Sequence, residues 1–327
     1  MNILITGASG LLGNHLTRLF LSRGHKVRVL IERENADDGL ESLPVEKLVC
    51  DIRDPDQVRG KADGMEVIIH AAADTSVWPY HSERVREINV CGTAHMIAEA
   101  LDSHALRFIY VGSACAFGWG SLQSPGTETT GFKRFCYHID YYETKVLAQQ
   151  VVLRAVRDKG LPGIVVNPTF MIGPHDYKMN AARLVLSIMQ GKFPGFPPGG
   201  RNFVHAADVA SGIYNSVESG EIGECYILGN ENLSYREFFR MVGQVTGCRV
   251  PELPIPAILV KSTGWVQSLL AALSGNPPQL GYNMARGTCH HAFYSPEKAR
   301  KWLNLSQTPI SLAVYDTVEW LKQQKTD

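Results

Sequence analysis

The chain has 327 residues, which at about 150 residues per domain suggests two domains or one large α/β unit with a smaller lobe. Lysines and arginines number 32 and aspartates and glutamates also number 32, so the net charge is zero and nothing favours binding to nucleic acid. A hydrophobic content of 45% with 20% charged residues indicates a globular protein with a packed core.

The first half alternates short apolar runs with helical patterns. Strands are predicted at Asn2–Thr6, Lys26–Ile31, Lys47–Cys50, Glu66–His70, Arg107–Val111 and Gly163–Asn167. Helical patterns lie between them, notably over Val90–Ala105 and Tyr141–Arg157. Strands that alternate with helices imply right-handed crossovers and a parallel sheet with helices on both faces. The fold class predicted is therefore α/β, with a doubly wound parallel sheet.

The composition of the sequence changes after Gly173–Pro174, where glycine and proline become frequent. Isolated helices are predicted at Ala181–Gln190, Ser234–Thr246, Ile258–Leu273, Pro296–Leu303 and Ile310–Gln323. Two further strands, Phe203–Asp208 and Cys225–Leu228, are expected to interleave with the sheet. We therefore assign residues 1–173 and 202–228 to the sheet domain, and residues 174–201 and 229–327 to a smaller, mostly helical lobe that binds substrate.

The turn after the first strand carries the pattern G-x-x-G-x-x-G. Gly7 allows a sharp turn, Gly10 allows close approach to a pyrophosphate, and Gly13 allows the helix to pack on the sheet. The helix N-terminus adds unpaired N–H groups and a partial positive charge. This strand–turn–helix setting predicts a Rossmann-type dinucleotide-binding domain.

The end of the second strand should lie near the adenosine ribose. Glu32 can accept hydrogen bonds from a free 2′-hydroxyl, whereas Arg33 can bind a 2′-phosphate, so the cofactor is NAD or NADP with a slight preference for NAD. Asp51 ends the third strand and is either a partner for the adenine edge or a loop cap.

A tyrosine and a lysine share one helix face. Tyr141 and Lys145 are four residues apart, and a cation about 4 Å from the phenol could lower its pKa by about 3 units, to the range that suits an acid–base catalyst. Tyr142 is the rival candidate. A second pair with the same spacing, Tyr294 and Lys298, is rejected because Pro296 belongs in a first helical turn and leaves Tyr294 before the helix.

A serine completes the predicted constellation. Ser113 ends the fifth strand, and the carboxyl ends of parallel strands are where active sites of such sheets gather. Its hydroxyl could hold a substrate oxygen against the tyrosine, although a serine alone at this position could equally be a turn residue.

These motifs stand in the order of a known family. The motifs are the segments TGASGLLG, VIIHAAAD and INVCGT, followed by Ser113, the pattern YxxxK and Asn167–Thr169. In these motifs the chain is similar to the extended short-chain dehydrogenase/reductases of the NAD-dependent epimerase/dehydratase type. Within that family it resembles dihydroflavonol-reductase-like proteins and hopanoid-associated sugar epimerases. The resemblance implies a catalytic Ser113, Tyr141 and Lys145, with Lys145 also holding the nicotinamide ribose. It further implies that Ala71–Ala73 lies along the cofactor and that Asn89 supports the site.

The full set of residues expected to bind the cofactor follows from the glycine turn, the strand ends and this resemblance. The set is Gly7, Ser9, Gly10, Leu11, Leu12, Gly13, Glu32, Arg33, Asp51, Ile52, Ala71, Ala72, Ala73, Asn89, Lys145 and Pro168.

Two departures from the family pattern bear on the reaction. Dehydratases of the family carry an Asp-Glu pair after the catalytic hydroxyl residue, whereas this chain has Ala114-Cys115, so dehydration is disfavoured. Reductase relatives usually have an arginine directly after the second strand, whereas this chain has Glu32 there.

The substrate is predicted only by class. Trp78, Phe170 and Met171 are apolar candidates either for contact with a partly hydrophobic substrate or for ordinary core packing. The loop 119–138, with Phe132, Phe135 and Tyr137, is either a cover for the substrate or a disordered surface loop. A nucleotide sugar would instead need cations for its diphosphate, for which Lys178, Arg183 and Arg201 are candidates.

Three functions remain open. The first, and favoured, is a carbonyl reductase or alcohol dehydrogenase that transfers a hydride; the second is a sugar epimerase with retained NAD; the third is a non-catalytic nucleotide sensor. The partners expected are a small molecule and a second copy of the chain. The homodimer would pair the helices Val90–Ala105 and Tyr141–Arg157, because the second has apolar residues on more than one side.

Membrane, secretion and metal are not predicted. The most apolar segment, Ile255–Leu273, contains Pro256 and Lys261 and is predicted as an amphipathic helix rather than an integral membrane segment; whether it touches a membrane or a lipid-like substrate stays open. The first residues read as a buried strand rather than a secretory signal. Seven cysteines without a CxxC pair favour reduced thiols and a cytoplasmic location. No cluster with metal-ligand spacing is found, and the pair His290–His291 lacks it.

Overall fold

The structure, a computed structural model, describes residues 1–36, 38–132 and 138–324. Its centre is a seven-stranded sheet in the order β3-β2-β1-β4-β5-β6-β9, in which every pair of neighbours is parallel. The strands are β1 (Asn2–Thr6), β2 (Lys26–Ile31), β3 (Glu46–Val49), β4 (Val67–His70), β5 (Arg107–Val111), β6 (Gly163–Pro168) and β9 (Cys225–Leu228). The predicted doubly wound sheet is confirmed.

Helices cover both faces of this sheet because its central strands are apolar on both sides. The strands β1, β4, β5 and β6 are almost entirely buried. The flanking helices are α1 (Leu11–Ser22), α2 (Pro55–Val58), α3 (Glu83–Arg86), α4 (Gly92–Asp102), α5 (Asp140–Lys159) and α7 (Ala206–Ser219). A π-helical turn, Glu87–Cys91, precedes α4, and a short 3₁₀ helix, Ala114–Ala116, follows β5.

The strand order places a cleft at one edge of the sheet. The chain winds outward from β1 to β3 on one side and from β4 to β9 on the other, so the direction of winding reverses between β1 and β4. Ligands of open parallel sheets bind at the carboxyl ends of the strands at such a reversal. The segments after β1, β4 and β5 therefore meet at the expected place for a site.

A second sheet and a group of helices form the C-terminal lobe. The sheet contains β7 (Phe170–Ile172), β8 (Gly200–His205), β10 (Glu231–Ser234) and β11 (His291–Ala292), all paired with β8. The strand predicted at Phe203–Asp208 thus begins and ends earlier and pairs outside the seven-stranded sheet. The remaining helices are α6 (Ala182–Met189), α8 (Tyr235–Thr246), α9 (Ala257–Ser274), α10 (Tyr282–Thr288), α11 (Glu297–Leu303) and α12 (Ile310–Gln323). Of these, α11 packs on α7 and on strand β9 of the seven-stranded sheet.

Helix α9 differs from the other long helices in its exposure. An ordinary amphipathic helix would turn polar residues to solvent, but the exposed positions of α9 are mostly large and apolar. It is long and apolar enough by length and composition to cross a membrane, and 17% of its residues are buried. Core helices and signal sequences can meet the same criterion, so composition alone does not assign it to a membrane.

Candidate active site

The glycine turn between β1 and α1 forms one wall of a cleft. Gly7 has a φ of +71°, and a Cβ there would lie 2.7 Å from the amide nitrogen of Ala72. A Cβ on Gly13 would lie 2.1 Å from the carbonyl oxygen of Gly7. The protein's own packing therefore requires both glycines.

Gly10 is different, because a Cβ there would meet nothing nearer than the Gly7 carbonyl oxygen at 3.4 Å. It is the N-cap of α1, which has no side-chain cap and no acidic residue in its first turn. The orphaned N–H groups and the positive end of the helix dipole suit an anion. The open space and the uncapped helix end fit the pyrophosphate of a dinucleotide.

A buried histidine holds the segment after β4 against this turn. The Thr93 hydroxyl donates to the Asn89 carbonyl (2.7 Å), so it accepts from Nε2 of His70 (3.0 Å). Nδ1 of His70 then accepts from the Thr6 hydroxyl (2.8 Å), whose oxygen accepts from the Ala72 amide (3.0 Å). Burial lowers the pKa of His70 to about 3, which keeps the ring neutral and this pattern intact.

Asn89 links the same segment to the helix that carries Tyr141 and Lys145. Its side-chain oxygen accepts from the Asp74 amide (2.8 Å), and its nitrogen donates to the Asp74 carbonyl and to the Thr144 hydroxyl, both at 3.0 Å. Thr144 directly precedes Lys145. Asn89 therefore positions α5 relative to the end of β4 rather than lining the cleft itself.

The three residues predicted to be catalytic all line one cleft of about 500 Å³. The Ser113 hydroxyl caps the short 3₁₀ helix by accepting from the Cys115 amide at 3.4 Å. The Lys145 Nζ donates to the Val111 carbonyl at 3.0 Å. The turn after β5 and the first two turns of α5 thus bring together Ser113, Tyr141 and Lys145.

The electrostatics of Tyr141 differ from the expectation in one respect. The sequence suggested that Lys145 lowers the pKa of Tyr141, but burial dominates and raises this pKa above its ordinary value, with Ser113 opposing the rise. Burial also lowers the pKa of Lys145 to about 8. In the chain by itself Tyr141 therefore keeps its proton at neutral pH.

The alternative tyrosines also line the cleft. The Tyr142 hydroxyl donates to Sδ of Met284 at 3.7 Å, and burial raises its pKa to about 12. Tyr294 precedes α11, as its sequence context indicated, and Lys298 forms an ion pair with Glu224. Tyr294 lines the cleft although its pairing with Lys298 was rejected on sequence grounds.

Some of the predicted cofactor residues line the cleft and others do not. Those that line it are Gly7, Gly10, Leu11, Leu12, Gly13, Ala71, Ala73, Lys145 and Pro168. Those outside the lining are Ser9, Glu32, Arg33, Asp51, Ile52, Ala72 and Asn89.

The two acidic candidates at the ends of β2 and β3 are engaged by arginines. The exposed Glu32 pairs with Arg84 at 2.7 Å. Asp51 pairs with Arg53, the closest contact being 2.6 Å, and hydrogen bonding to Arg53 lowers the pKa of Asp51. Arg84 lies in a segment in which no sequence pattern had indicated a contact with Glu32.

The predicted substrate residues divide in the same way. Phe170, Met171, Lys178 and Arg201 line the cleft, whereas Trp78 and Arg183 do not. Trp78 packs its ring against the edge of Tyr80, with centroids 4.8 Å apart. Arg183 is exposed on α6, whose other side faces the core.

Of the loop aromatics, Phe135 and Tyr137 lie outside the described residues. Lining residues that no sequence signal had marked include Thr75, Val77, Asn180, Ala181, Asn202, Met284, Gly287 and Ala292.

Arg201 is a cation of the cleft that two contacts hold in place. Its Nε donates to the Tyr235 hydroxyl at 2.7 Å, and its guanidinium lies over the ring of Phe170, 5.2 Å from the centroid. Both contacts fix the side chain within an aromatic surrounding. The cleft therefore combines an apolar wall with an oriented positive charge.

Comparison with known proteins agrees with this geometry. The sequence matches the NAD dependent epimerase/dehydratase family over residues 3–229, and the chain belongs to that family. It is 29% identical over 331 residues to a dihydroflavonol 4-reductase-like protein of Synechocystis sp., covering 97% of this chain and 94% of the relative. It is 29% identical over 328 residues to sterol demethylase protein B of Methylococcus capsulatus, covering 99% of each.

The crystal structure of gox2253 resembles the whole fold, with a TM-score of 0.86 and 34% identity over 98% of each chain. The family, the relatives and the cleft together define an oxidoreductase that uses a nicotinamide cofactor and acts on a small molecule.

Proposed function

We propose that this protein reduces the carbonyl group of a small, partly hydrophobic molecule, with Tyr141 as the proton donor. The observation that carries this proposal is the single cleft shared by the glycine turn, Tyr141 and the apolar side chains Phe170, Met171 and Met284. A cofactor on the glycine turn and a substrate on the apolar wall would both reach the tyrosine.

The chain's own residues supply the proton chemistry. When bound, the reduced nicotinamide supplies a hydride to the carbonyl carbon. The carbonyl oxygen then takes the proton of the Tyr141 hydroxyl, while the Ser113 hydroxyl donates a hydrogen bond that holds this oxygen in place. Because burial raises the pKa of Tyr141, the phenol carries its proton at neutral pH, although the same rise makes it a weaker acid.

The predicted cofactor residues take four roles in this proposal. Gly10 and the first turn of α1 hold the pyrophosphate, Ala71–Ala73 runs along the cofactor, and Lys145 holds the nicotinamide ribose. Glu32 accepts from the ribose hydroxyl, which favours NAD(H) over NADP(H). Its pairing with Arg84 weakens the repulsion of a 2′-phosphate, so the preference is small.

The substrate class rests on the apolar wall. The names of two relatives, a dihydroflavonol reductase-like protein and a sterol demethylase protein, point to ring systems with large apolar surfaces. A substrate of this kind fits beside Phe170 and Met171. A polar or anionic group on it would lie against Arg201.

A sugar epimerase with retained NAD is the second candidate, because Lys178 and Arg201 line the cleft and could hold a diphosphate. A reductase releases its cofactor in each turnover, whereas an epimerase keeps it and returns the hydride to the substrate.

The test that separates the two functions is to mix the purified protein with NADH or NADPH and with polycyclic ketones or nucleotide sugars. Stoichiometric loss of the reduced-nicotinamide absorbance with a ketone supports the reductase. Interconversion of two sugar epimers without that loss would establish the epimerase instead.

We further propose a cytoplasmic homodimer formed through α4 and α5. Several apolar side chains of α5, among them Val146, Leu147 and Val151, are only partly buried. Pairing the two helices with those of a second copy would cover them. Light scattering at micromolar concentration tests the dimer, and a monomer mass would contradict it.

A further inference from the structure

Helix α9 carries an apolar surface that no other part of the described chain covers. Seven large side chains on it are between 47% and 78% exposed: Ile258, Leu259, Trp265, Val266, Leu269, Leu270 and Leu273. We call these residues the α9 face. A concentrated apolar surface of this kind marks a site that meets another protein or a membrane.

The opposite side of α9 is fixed to the protein. A Cβ on Gly264 would lie 2.5 Å from the Cβ of Ala285, so α10 packs closely against α9. The Ser268 hydroxyl accepts from the Tyr282 amide at 2.8 Å and also meets the Tyr80 hydroxyl at 3.0 Å. The α9 face is therefore presented outward by a helix that is held along its length.

The polar groups of α9 are mostly satisfied within the protein. The Thr263 hydroxyl donates to the Leu259 carbonyl at 2.9 Å, and Oε1 of Gln267 accepts from the Leu280 amide at 2.9 Å. The Ser274 hydroxyl accepts from the Asn276 amide at 3.3 Å. Satisfied polar groups can enter an apolar medium at low cost, whereas a protein interface usually presents polar groups for pairing at its rim.

The stretch of chain that carries α9 has one sign of charge between Glu252 and Glu297. Residues 253–296 contain no aspartate or glutamate, although the whole chain has 32 of them. The lysines and arginines of the same stretch are Lys261 and Arg286. This part of a chain with zero net charge is thus positive, which is complementary to an anionic lipid surface.

The α9 face also adjoins the active site. Met284 and Gly287 of α10 line the cleft, and Met284 accepts the hydrogen bond of Tyr142. Since α10 packs on α9, a single helix separates the α9 face from the cleft. A surface that met the α9 face would lie beside the wall that contacts the substrate.

We propose that the α9 face docks on an anionic lipid bilayer, with α9 lying in the interface parallel to the membrane surface. The exposed Trp265 suits that position, because tryptophan is enriched at membrane interfaces. The helix has 18 residues and is joined at both ends to the folded lobe, so it lies on the membrane rather than spanning it. The docking is independent of which carbonyl compound the enzyme reduces.

The test is co-flotation of the full-length protein with vesicles on a density gradient. One set of vesicles is pure phosphatidylcholine, and the other contains about a third phosphatidylglycerol, the anionic component. The variant L270E/L273E places two carboxylates on the α9 face. The matched control is L106E/L122E, which changes two leucines of similar exposure elsewhere.

We expect the wild type and L106E/L122E to float with the anionic vesicles, and L270E/L273E to bind them at least roughly tenfold more weakly. Circular dichroism and the mass by light scattering are measured for each variant. Failure of the wild type to float, or equal binding by L270E/L273E, overturns the proposal. A wild-type oligomer that L270E/L273E dissociates, without vesicle binding, also overturns it and assigns the α9 face to a second copy of the chain.

Discussion

The glycine turn and the substrate side of the cleft are built in different ways. The turn is formed by consecutive residues, and a Cβ on Gly13 would collide with the carbonyl of Gly7, only a few residues earlier. The opposite wall takes Phe170 from β7, Arg201 from β8, Met284 from α10 and Tyr294 from the segment before α11. Local geometry therefore fixes most of the glycine turn, whereas the substrate side depends on how distant segments of the lobe pack together.

The largest effect is expected at Tyr141, where these two walls meet. Y141F removes the proton donor and should lower kcat/KM for reduction by 10² or more, while cofactor binding changes little. Y142F removes a neighbouring hydroxyl that contacts Met284 and is the matched control. Steady-state kinetics and cofactor titration measure the two quantities. If Y142F were the inactive variant and Y141F the active one, the assignment of the proton donor would be wrong.

Two glycine substitutions test whether the local turn serves the fold or the ligand. G13A forces a Cβ into the Gly7 carbonyl and should lower the free energy of unfolding by about 1–3 kcal/mol. G10A meets no close atom of the protein, so its stability should stay near that of the wild type while cofactor affinity falls roughly tenfold or more. Denaturant unfolding and cofactor titration separate the two. Normal cofactor affinity in G10A would contradict a pyrophosphate at this position.

The same contrast explains what the sequence could predict. The strands Asn2–Thr6, Lys26–Ile31 and Arg107–Val111 were predicted to the residue because each is a short apolar run between clear turn signals. Ser113, Tyr141 and Lys145 were brought to one cleft because strand ends and helix faces follow from local patterns. Their catalytic roles remain predictions.

The substrate wall could not be predicted to the same degree. Met284 lies in a segment without any catalytic signal, and only the packing of α10 carries it to the cleft. Trp78 looked like a candidate by its position after β4, but its ring packs on Tyr80. Arg84 reaches Glu32 across the fold, a pairing that no spacing in the sequence reveals.

Two partly buried histidines lie between the nucleotide-binding half and the lobe, and they lead to a prediction for stability in acid. His15 on α1 bonds the Pro174 carbonyl at 3.0 Å and lies against His175, with ring centroids 5.6 Å apart. Burial, followed by the charge of His175, lowers the pKa of His15 to about 4. The unfolded chain then binds the proton more readily between about pH 4 and 6.5, so stability is complete above that window and falls as the pH decreases through it.

H15Q should therefore make the free energy of unfolding less dependent on pH. Without His15, the unfolded chain no longer binds one proton more than the folded chain does. The free energy of unfolding should then change with pH less steeply, by about 1.4 kcal/mol per pH unit between about pH 5 and 6. Urea unfolding at several pH values measures the slope. The exposed His291 supplies the control H291Q, for which we expect the slope of the wild type. An unchanged slope in H15Q would show that this imidazole does not oppose protonation in the folded state.

The smallest effect concerns the choice between NAD(H) and NADP(H), which we expect to depend on an exposed ion pair near the cofactor side of the cleft. Glu32 and Arg84 are each about half exposed, and such pairs contribute about 0–1 kcal/mol. E32Q removes the charge that repels a 2′-phosphate and should raise affinity for NADP(H) relative to NAD(H) by roughly threefold to tenfold. R84Q removes the cation that screens Glu32 and should move the ratio the other way. Dissociation constants of both variants for both cofactors decide the matter, because shifts in the same direction would mean that Glu32 does not meet the ribose.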